Sequence, residues 1–147
     1  MIYIPDTNNL LRFAIRADVQ HAVVLSAIKK LKANGYKIYI LPQTCVEFWN
    51  VCTRPTSRNG FGLSVQQANH SLRLVEKIFP LLPDDSNVHQ QWRKLVVRFG
   101  VSGVQVHDAR IVAAMLIHNV THLLTFNTSD FNRYSSLGII AVDPNTL

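Results

Sequence analysis

The sequence predicts an α/β fold, namely a three-layer α/β/α sandwich built on a parallel sheet of about four to five strands. Short runs of strand-forming residues alternate with longer segments whose apolar residues recur at helical spacing. Strands that are separated by helices pair in parallel through right-handed crossovers, which place helices on both faces of a sheet. Neither an internal repeat nor a linker interrupts this alternation, so we expect residues 1–147 to form a single domain.

Each element follows from a local pattern. Four apolar runs predict strands at residues 2–5, 38–41, 122–126 and 139–142, and proline ends the first two. Helices are expected at residues 7–15, 19–34 and 43–53. Two longer amphipathic helices, starting at Ser64 and near Val88, are expected to form a helical hairpin. The last helix is expected to begin at Asp108 and to end near Asn119.

Composition narrows the class of protein. The chain has 48% hydrophobic and 16% charged residues, which is typical of a compact globular protein rather than a disordered one. No apolar run approaches the roughly 20 residues that span a membrane, and the chain opens on a strand-like segment instead of a signal peptide. We therefore expect a cytoplasmic protein. The net charge of +6 favours a polyanionic partner, although many unrelated proteins are equally basic.

Four acidic residues occupy notable positions. Asp108 opens an alanine-rich helix whose buried stripe holds it in place, and Asp6 directly follows the first strand. Glu47 lies one turn into the helix after the second strand, and Asp130 follows the third strand. Taken singly, each aspartate is explained as well by helix capping, and Glu47 by solvation. Because the carboxyl ends of parallel strands share one edge of the sheet, all four are expected to meet there.

Such a cluster predicts a metal site. Carboxylates packed together raise one another's pKa unless a cation neutralises them. An oxygen-only ligand set suits Mg²⁺ or Mn²⁺, whereas Zn²⁺ prefers His or Cys. Carboxylate-bound magnesium beside a basic surface is typical of phosphodiester chemistry, because the metal activates water and stabilises charge on the phosphate.

Four segments, in this order and spacing, resemble the PIN domain, and most closely the VapC-type toxins of bacterial toxin–antitoxin pairs: IYIPDTNNLLR, IYILPQTCVEFWN, HDARIVAAM and LLTFNTSDF. The resemblance covers nearly the whole chain. It implies the sandwich fold, an Mg²⁺- or Mn²⁺-dependent endoribonuclease activity, a homodimer and inhibition by a cognate antitoxin protein. It also implies that Asp6, Glu47, Asp108 and Asp130 are the catalytic and metal-holding residues.

The resemblance extends to supporting positions. Thr7 matches a hydroxyl that supports the first aspartate, and Asn127 replaces an additional acid found in many relatives. With one negative charge fewer, a single tightly bound metal is expected. Asn9 stands where most relatives have an apolar residue.

Basic and aromatic residues near the acidic positions are candidates for contacts with RNA. Four arginines close in sequence to the acidic positions are candidates for phosphate contacts, or else plain surface charge: Arg12, Arg54, Arg58 and Arg110. The loop at residues 54–62 is either a simple connection or a basic flap, and its Phe61 is the aromatic residue placed to stack on a base.

Two alternatives differ in kind from a nuclease. A catalytically inactive PIN-fold module would bind RNA or a protein without cutting. A phosphoacceptor domain has a similar sheet, but it requires paired acids after the first strand and a lysine near the end of the domain. Here Asp6 stands alone and no lysine follows Lys94.

Overall fold

The computed structural model describes residues 1–147 and contains a four-stranded sheet in which every pairing is parallel. The strands are β1 (Ile2–Pro5), β2 (Lys37–Ile38), β3 (His122–Leu124) and β4 (Ile140–Val142). Their spatial order is β2-β1-β3-β4, so that β1 and β3 are the two central strands. Because all four run the same way, their carboxyl ends lie along one edge of the sheet.

Six α-helices connect and flank these strands: α1 (Thr7–Ala14), α2 (His21–Ala33), α3 (Pro42–Thr53), α4 (Val65–Ile78), α5 (Val88–Arg98) and α6 (Gln105–Ile117). Three 3₁₀ helices complete the chain, at Thr56–Arg58, Thr128–Leu137 and Pro144–Thr146. None of the helices combines the length and the apolar composition that crossing a membrane requires.

The two faces of the sheet bury separate hydrophobic clusters. Neighbouring strand residues point to opposite faces, so Tyr3 and Leu124 join one cluster while Ile4 and Leu123 join the other. The first cluster is covered by α1 to α4, and the second by α5, α6 and the 3₁₀ helix Thr128–Leu137. This arrangement confirms the predicted three-layer α/β/α sandwich.

The predicted helical hairpin of α4 and α5 is wrong. Val75 of α4 belongs to the first cluster and Leu95 of α5 to the second, so the two helices lie on opposite faces of the sheet. The connection between them pairs with the chain just beyond β2: the Ile40 amide donates to the Pro80 carbonyl, and the Leu82 amide to the Ile40 carbonyl, both at 2.9 Å. The α4–α5 connection therefore crosses from one face of the sheet to the other at the β2 edge. The apolar stripes of α4 and α5 pack against different hydrophobic clusters.

Two predicted boundaries differ by three residues, and several others, such as the end of β3 and the start of α2, differ by one or two. The second strand ends at Ile38 rather than at residue 41, because Ile40 pairs with the α4–α5 connection instead of with β1. The last helix begins at Gln105, three residues before Asp108, after a turn that Gly103 allows with a φ of 65°. Asp108 therefore lies inside the first turn of α6 rather than at its N-cap.

Candidate functional site

A cavity of about 580 Å³ opens at the carboxyl edge of the sheet, and all four predicted acidic residues line it. Asp6 follows β1, Glu47 projects from α3, Asp108 lies in the first turn of α6, and Asp130 lies in the 3₁₀ helix after β3. Four distant segments of the chain thus place one carboxylate each in the same cavity.

Asp6 is the most buried of the four, with 8% of its surface exposed. It is the N-cap of α1, and its Oδ1 accepts hydrogen bonds from the backbone amide and the Nδ2 of Asn9, each at 2.9 Å. Burial raises its pKa, and the charge of Glu47 adds to that rise, while hydrogen bonding from Thr125 and Asn9 acts in the opposite direction. Helix capping and a position in the cavity are therefore compatible roles for this side chain.

Glu47 is held by hydrogen bonds at both carboxylate oxygens. Oε2 accepts from the Thr7 hydroxyl at 2.6 Å, and Oε1 accepts from Nε2 of Gln43 at 2.9 Å. The Thr7 hydroxyl thus supports Glu47 in place of the expected Asp6. Gln43 also donates to the His107 carbonyl at 2.8 Å, so this one amide links the helix that carries Glu47 to the helix that carries Asp108.

Asp108 differs because its carboxylate accepts no hydrogen bond and forms no ion pair within the protein. Burial raises its pKa to about 6, and the charges of Asp130, Asp6 and Glu47 contribute to that rise, opposed by His107. Its place in the first turn of α6 puts it near the positive end of the helix dipole. The capping interpretation fails, because the N-cap is Val104 and no side chain caps this helix.

The donor set fits a hydrated divalent cation. The charges of the three other carboxylates raise the pKa of Asp108, so each of them lies within electrostatic range of Asp108. However, no three His, Cys, Asp or Glu side chains converge closely enough to enclose an ion together. Mg²⁺ usually keeps several waters and takes only one or two carboxylates directly, so such convergence is not required. The residues therefore suit an ion that is partly bound through water.

Of the four candidate arginines, only Arg54 lines the cavity. Its Nη2 donates to the Asn59 carbonyl at 3.1 Å, while its Nε is buried without a hydrogen-bond partner. Arg12 instead forms an ion pair with Asp18, and Arg58 is exposed in the loop outside the cavity. The structure does not place Arg12 or Arg58 where they would contact a phosphate in this cavity.

Arg110 and Phe61 are also engaged elsewhere. Arg110 donates to Oε1 of Gln43 at 3.1 Å and pairs with Asp84 at 3.7 Å. It does not line the cavity, and it contacts the site only through Gln43, which holds Glu47. The loop that carries Phe61 folds back on α3, where the Phe61 amide donates to the Val51 carbonyl at 3.0 Å. The Phe61 ring packs against the first hydrophobic cluster, which leaves no role for it in stacking on a base at the cavity.

Sequence reasoning missed two supporting residues, Gln43 and Asn9. Gln43 precedes Glu47 by one helical turn, a spacing at which side chains meet, and this signal was available from the sequence. Asn9 is fully buried beside Asp6, so its departure from an apolar residue has a local reason: it bonds the carboxylate. Asn127 lines the cavity as expected from its position, among further residues that include Asn8, Asn50, Val104, His107, Ile111 and Phe131.

Comparison with solved structures finds the same architecture in toxin–antitoxin proteins. The chain is similar to a chain of VapBC2 from Rickettsia felis, solved with a promoter DNA fragment: the TM-score is 0.71 at 16% identity, over 97% of this chain and 98% of that one. A chain of VapBC-1 from nontypeable Haemophilus influenzae gives 0.70 at 19% identity, over 98% of each chain. VapC20 of Mycobacterium tuberculosis, a toxin that cleaves the sarcin–ricin loop, gives 0.68 at 16% identity, over 97% of this chain and 98% of that one.

A search of curated proteins found no match. The family model of the PIN domain matches residues 3–137, a span that contains all four acidic residues of the cavity. The structural neighbours carry the fold that the sequence resemblance implied. This chain therefore belongs to the PIN domain family.

Proposed function

We propose that this protein is a metal-dependent endoribonuclease that hydrolyses RNA phosphodiester bonds. The observation that carries the proposal is the meeting of four carboxylates, from four distant segments, in one cavity, where burial and then the charges of the other three raise the pKa of Asp108 to about 6. A protein maintains such repulsion at a cost in stability, which is typical of functional sites. Membership of the PIN domain family supports the same activity.

Asp6, Glu47, Asp108 and Asp130 would hold Mg²⁺ or Mn²⁺, directly or through water. When bound, such an ion makes water nucleophilic near neutral pH and stabilises the charge of the phosphoryl group. The protein's own contribution is preorganisation: hydrogen bonds fix Asp6 and Glu47, whereas the oxygens of Asp108 and Asp130 accept no bonds from the protein. They therefore remain able to orient a water molecule for in-line attack on the phosphorus.

Arg54 is the cation that this mechanism uses. It is the one arginine lining the cavity, and its buried Nε has no partner within the protein. A guanidinium donates to phosphate oxygens in a planar, two-point geometry, so Arg54 would position the scissile phosphate against the carboxylates. Its exposed neighbour Arg58 provides a matched comparison: we expect Arg54→Gln to lower the rate of cleavage about tenfold, and Arg58→Gln to change it little.

We also propose that the protein is the toxin of a toxin–antitoxin pair, acts as a homodimer and is inhibited by a cognate antitoxin. The structural neighbours come from VapBC and FitAB complexes, which is the support for this part of the proposal. Co-expression with the product of an adjacent open reading frame, followed by light scattering of the purified complex, would test it. A monomer that no neighbouring gene product binds or inhibits would contradict it.

The decisive experiment compares the protein with its Asp108→Asn variant on total RNA. Each is incubated with Mg²⁺ or Mn²⁺, and the new 5′ ends are sequenced. We expect defined cleavage positions with the native protein and their loss with the variant. Asp85→Asn, which alters an exposed aspartate outside the cavity, is the matched control and should cut normally.

The outcomes separate the candidate functions. Equal cutting by the native protein and by Asp108→Asn would assign the activity to a contaminant or to different chemistry. RNA that is bound but left intact with both metals would identify a non-catalytic RNA-binding module of the same fold.

A further inference from the structure

The outer surface of α5 carries a second large concavity that the proposed mechanism does not use. Its volume, about 810 Å³, exceeds that of the acidic cavity. It is lined almost entirely by α5, with Leu137 from the 3₁₀ helix Thr128–Leu137 at its border. We call the side chains His89, Arg93, Lys94 and Arg98 on this surface the α5 basic face.

The three positive charges of the α5 basic face, on Arg93, Lys94 and Arg98, have no ion-pair partner. The four members of the face are exposed, and no aspartate or glutamate occurs anywhere between residues 86 and 107. None of them forms an ion pair, because the only two ion pairs in the structure involve Arg12 and Arg110. Arg98 also lies over the Phe99 ring at 5.2 Å, which holds its guanidinium at the end of the helix. This surface therefore favours binding of a polyanion.

The α5 basic face is connected to the acidic cavity through α6 and through the 3₁₀ helix Thr128–Leu137. The Trp92 indole donates to the Val106 carbonyl at 2.8 Å, which ties α5 to the first turn of α6 beside Asp108. The 3₁₀ helix whose Leu137 borders the basic face carries Asp130 in its first turn. Asp130 and Leu137 are seven residue steps apart, so at the usual rise of a 3₁₀ helix, about 2.0 Å per residue, they are separated by at most roughly 14 Å. A strand a few nucleotides long would cover that distance.

We propose that the α5 basic face binds the phosphates of the RNA strand outside the scissile position. This inference rests on the proposed nuclease function. An RNA strand that enters a cavity of four carboxylates is repelled, and cations a short distance along its path offset that repulsion and steer the strand to the site. An acidic protein segment would meet the same charges, but the proximity to the acidic cavity favours the substrate itself.

Salt dependence of binding tests the proposal. The affinity of the full-length protein for a 20-nucleotide single-stranded RNA is measured by fluorescence anisotropy in EDTA, which prevents cleavage, at several salt concentrations. We compare the native protein with the double variant Lys94→Gln/Arg98→Gln. Each lost phosphate contact reduces the magnitude of the slope of log affinity against log salt concentration by about 0.7, so this slope should be smaller by about 1.4 in the variant. The variant should also bind the RNA at least about tenfold more weakly near 0.1 M salt.

The chain offers a closely matched control in Arg73→Gln/Lys77→Gln. This pair also removes one Arg and one Lys at i, i+4 spacing from an exposed helix, but it lies on α4, on the other face of the sheet. We expect the control to retain the native salt slope. Equal weakening by the two variants would overturn the proposal, because net charge alone would then explain the effect.

Cleavage of a dinucleotide with Mn²⁺ separates this inference from the proposed function. The dinucleotide fills only the acidic cavity, so all three proteins should cleave it at similar rates. If the native protein cleaves no RNA, the proposed function fails while the salt slopes still report on the α5 basic face. If the α5 variant binds RNA like the native protein but loses affinity for an acidic peptide, the face binds protein and the inference is wrong.

Discussion

The two halves of the acidic cavity hold their carboxylates in different ways. On the side of β1, α1 and α3, Asp6 and Glu47 accept hydrogen bonds from Asn9, Thr7 and Gln43. On the side of α6 and the following 3₁₀ helix, Asp108 and Asp130 accept none. Asp6 and Glu47 are therefore held in place by the fold. The carboxylate oxygens of Asp108 and Asp130 are free to accept hydrogen bonds or to bind a cation in the cavity.

This difference separates the stability of the protein from its chemistry. Hydrogen bonds to a buried carboxylate offset its desolvation, so removing Asp6 leaves polar partners unpaired inside the protein. Asp108 has no such partners, and its charge is opposed by burial and by its acidic neighbours. We therefore expect variants of Asp6 and Glu47 to lose stability, and variants of Asp108 and Asp130 to lose mainly activity.

The largest effect is expected from Asp108→Asn on catalysis. The amide keeps the shape of the side chain but removes the charge that holds a cation, so RNA cleavage should fall by at least about 100-fold. In EDTA the same variant should be more stable than the native protein by on the order of 1 kcal/mol, a figure reduced for solvent screening at this half-buried group. Thermal unfolding with and without Mg²⁺ measures the stability of the metal-bound and of the metal-free protein. A metal-free variant less stable than the native protein would contradict the account of repulsion.

The next largest effect is on stability and contrasts one alanine variant from each half. Asp6→Ala removes the N-cap of α1 and leaves the buried Asn9 amide without its acceptor, so urea unfolding in EDTA should show a loss of about 2 kcal/mol. Asp130→Ala breaks no side-chain hydrogen bond and should change stability by less than about 0.5 kcal/mol. Equal losses would show that the two halves do not differ as the hydrogen bonds indicate.

A smaller effect is expected from Gln43→Leu, which removes the link between α3 and α6 while roughly keeping the side-chain volume. Loss of a residue that orients a ligand typically weakens metal binding by 10- to 100-fold, as a general magnitude, and we expect about tenfold here. Mn²⁺ binding followed by electron paramagnetic resonance measures this without relying on cleavage. Gln66→Leu, at an exposed position of α4, is the control and should bind Mn²⁺ like the native protein.

The smallest effect is the pH dependence of metal-free stability. The pKa of Asp108 in the folded protein, about 6, lies above the ordinary 3.8, so the folded state binds the proton more tightly than the unfolded state. The destabilising charge is fully present above pH 6 and is relieved as the pH falls through 6. No further gain is expected below about 3.8.

Because other carboxylates titrate in the same range, the useful quantity is the difference between native and Asp108→Asn unfolding free energies, measured in EDTA from pH 7.5 to 4.5. The stabilising effect of the variant should shrink as the pH is lowered. An effect that stays constant would show that the Asp108 charge is not the source of the difference.

Much of the fold followed from local patterns. The strand starts to within one residue, the existence of α2 and the positions of the four acids after strands or near a helix start were predicted from the spacing of apolar residues and from proline and capping residues. The pairing of α4 with α5 was predicted wrongly, since an amphipathic stripe shows that a helix is covered but not by which layer. The start of α6 was misplaced because Asp108 resembles a cap, whereas the turn at Gly103 begins the helix earlier.

The chain's own residues thus determined the α/β alternation and which acids stand near the carboxyl edge of the sheet, because both depend on neighbours in sequence. Tertiary structure alone decided which contacts form between distant segments and which arginine lines the acidic cavity. The bond from Thr7 to Glu47 joins residues 40 apart, and the bond from Arg110 to Gln43 joins residues 67 apart. Such contacts depend on how helices from different parts of the chain pack on the sheet, which no local pattern records.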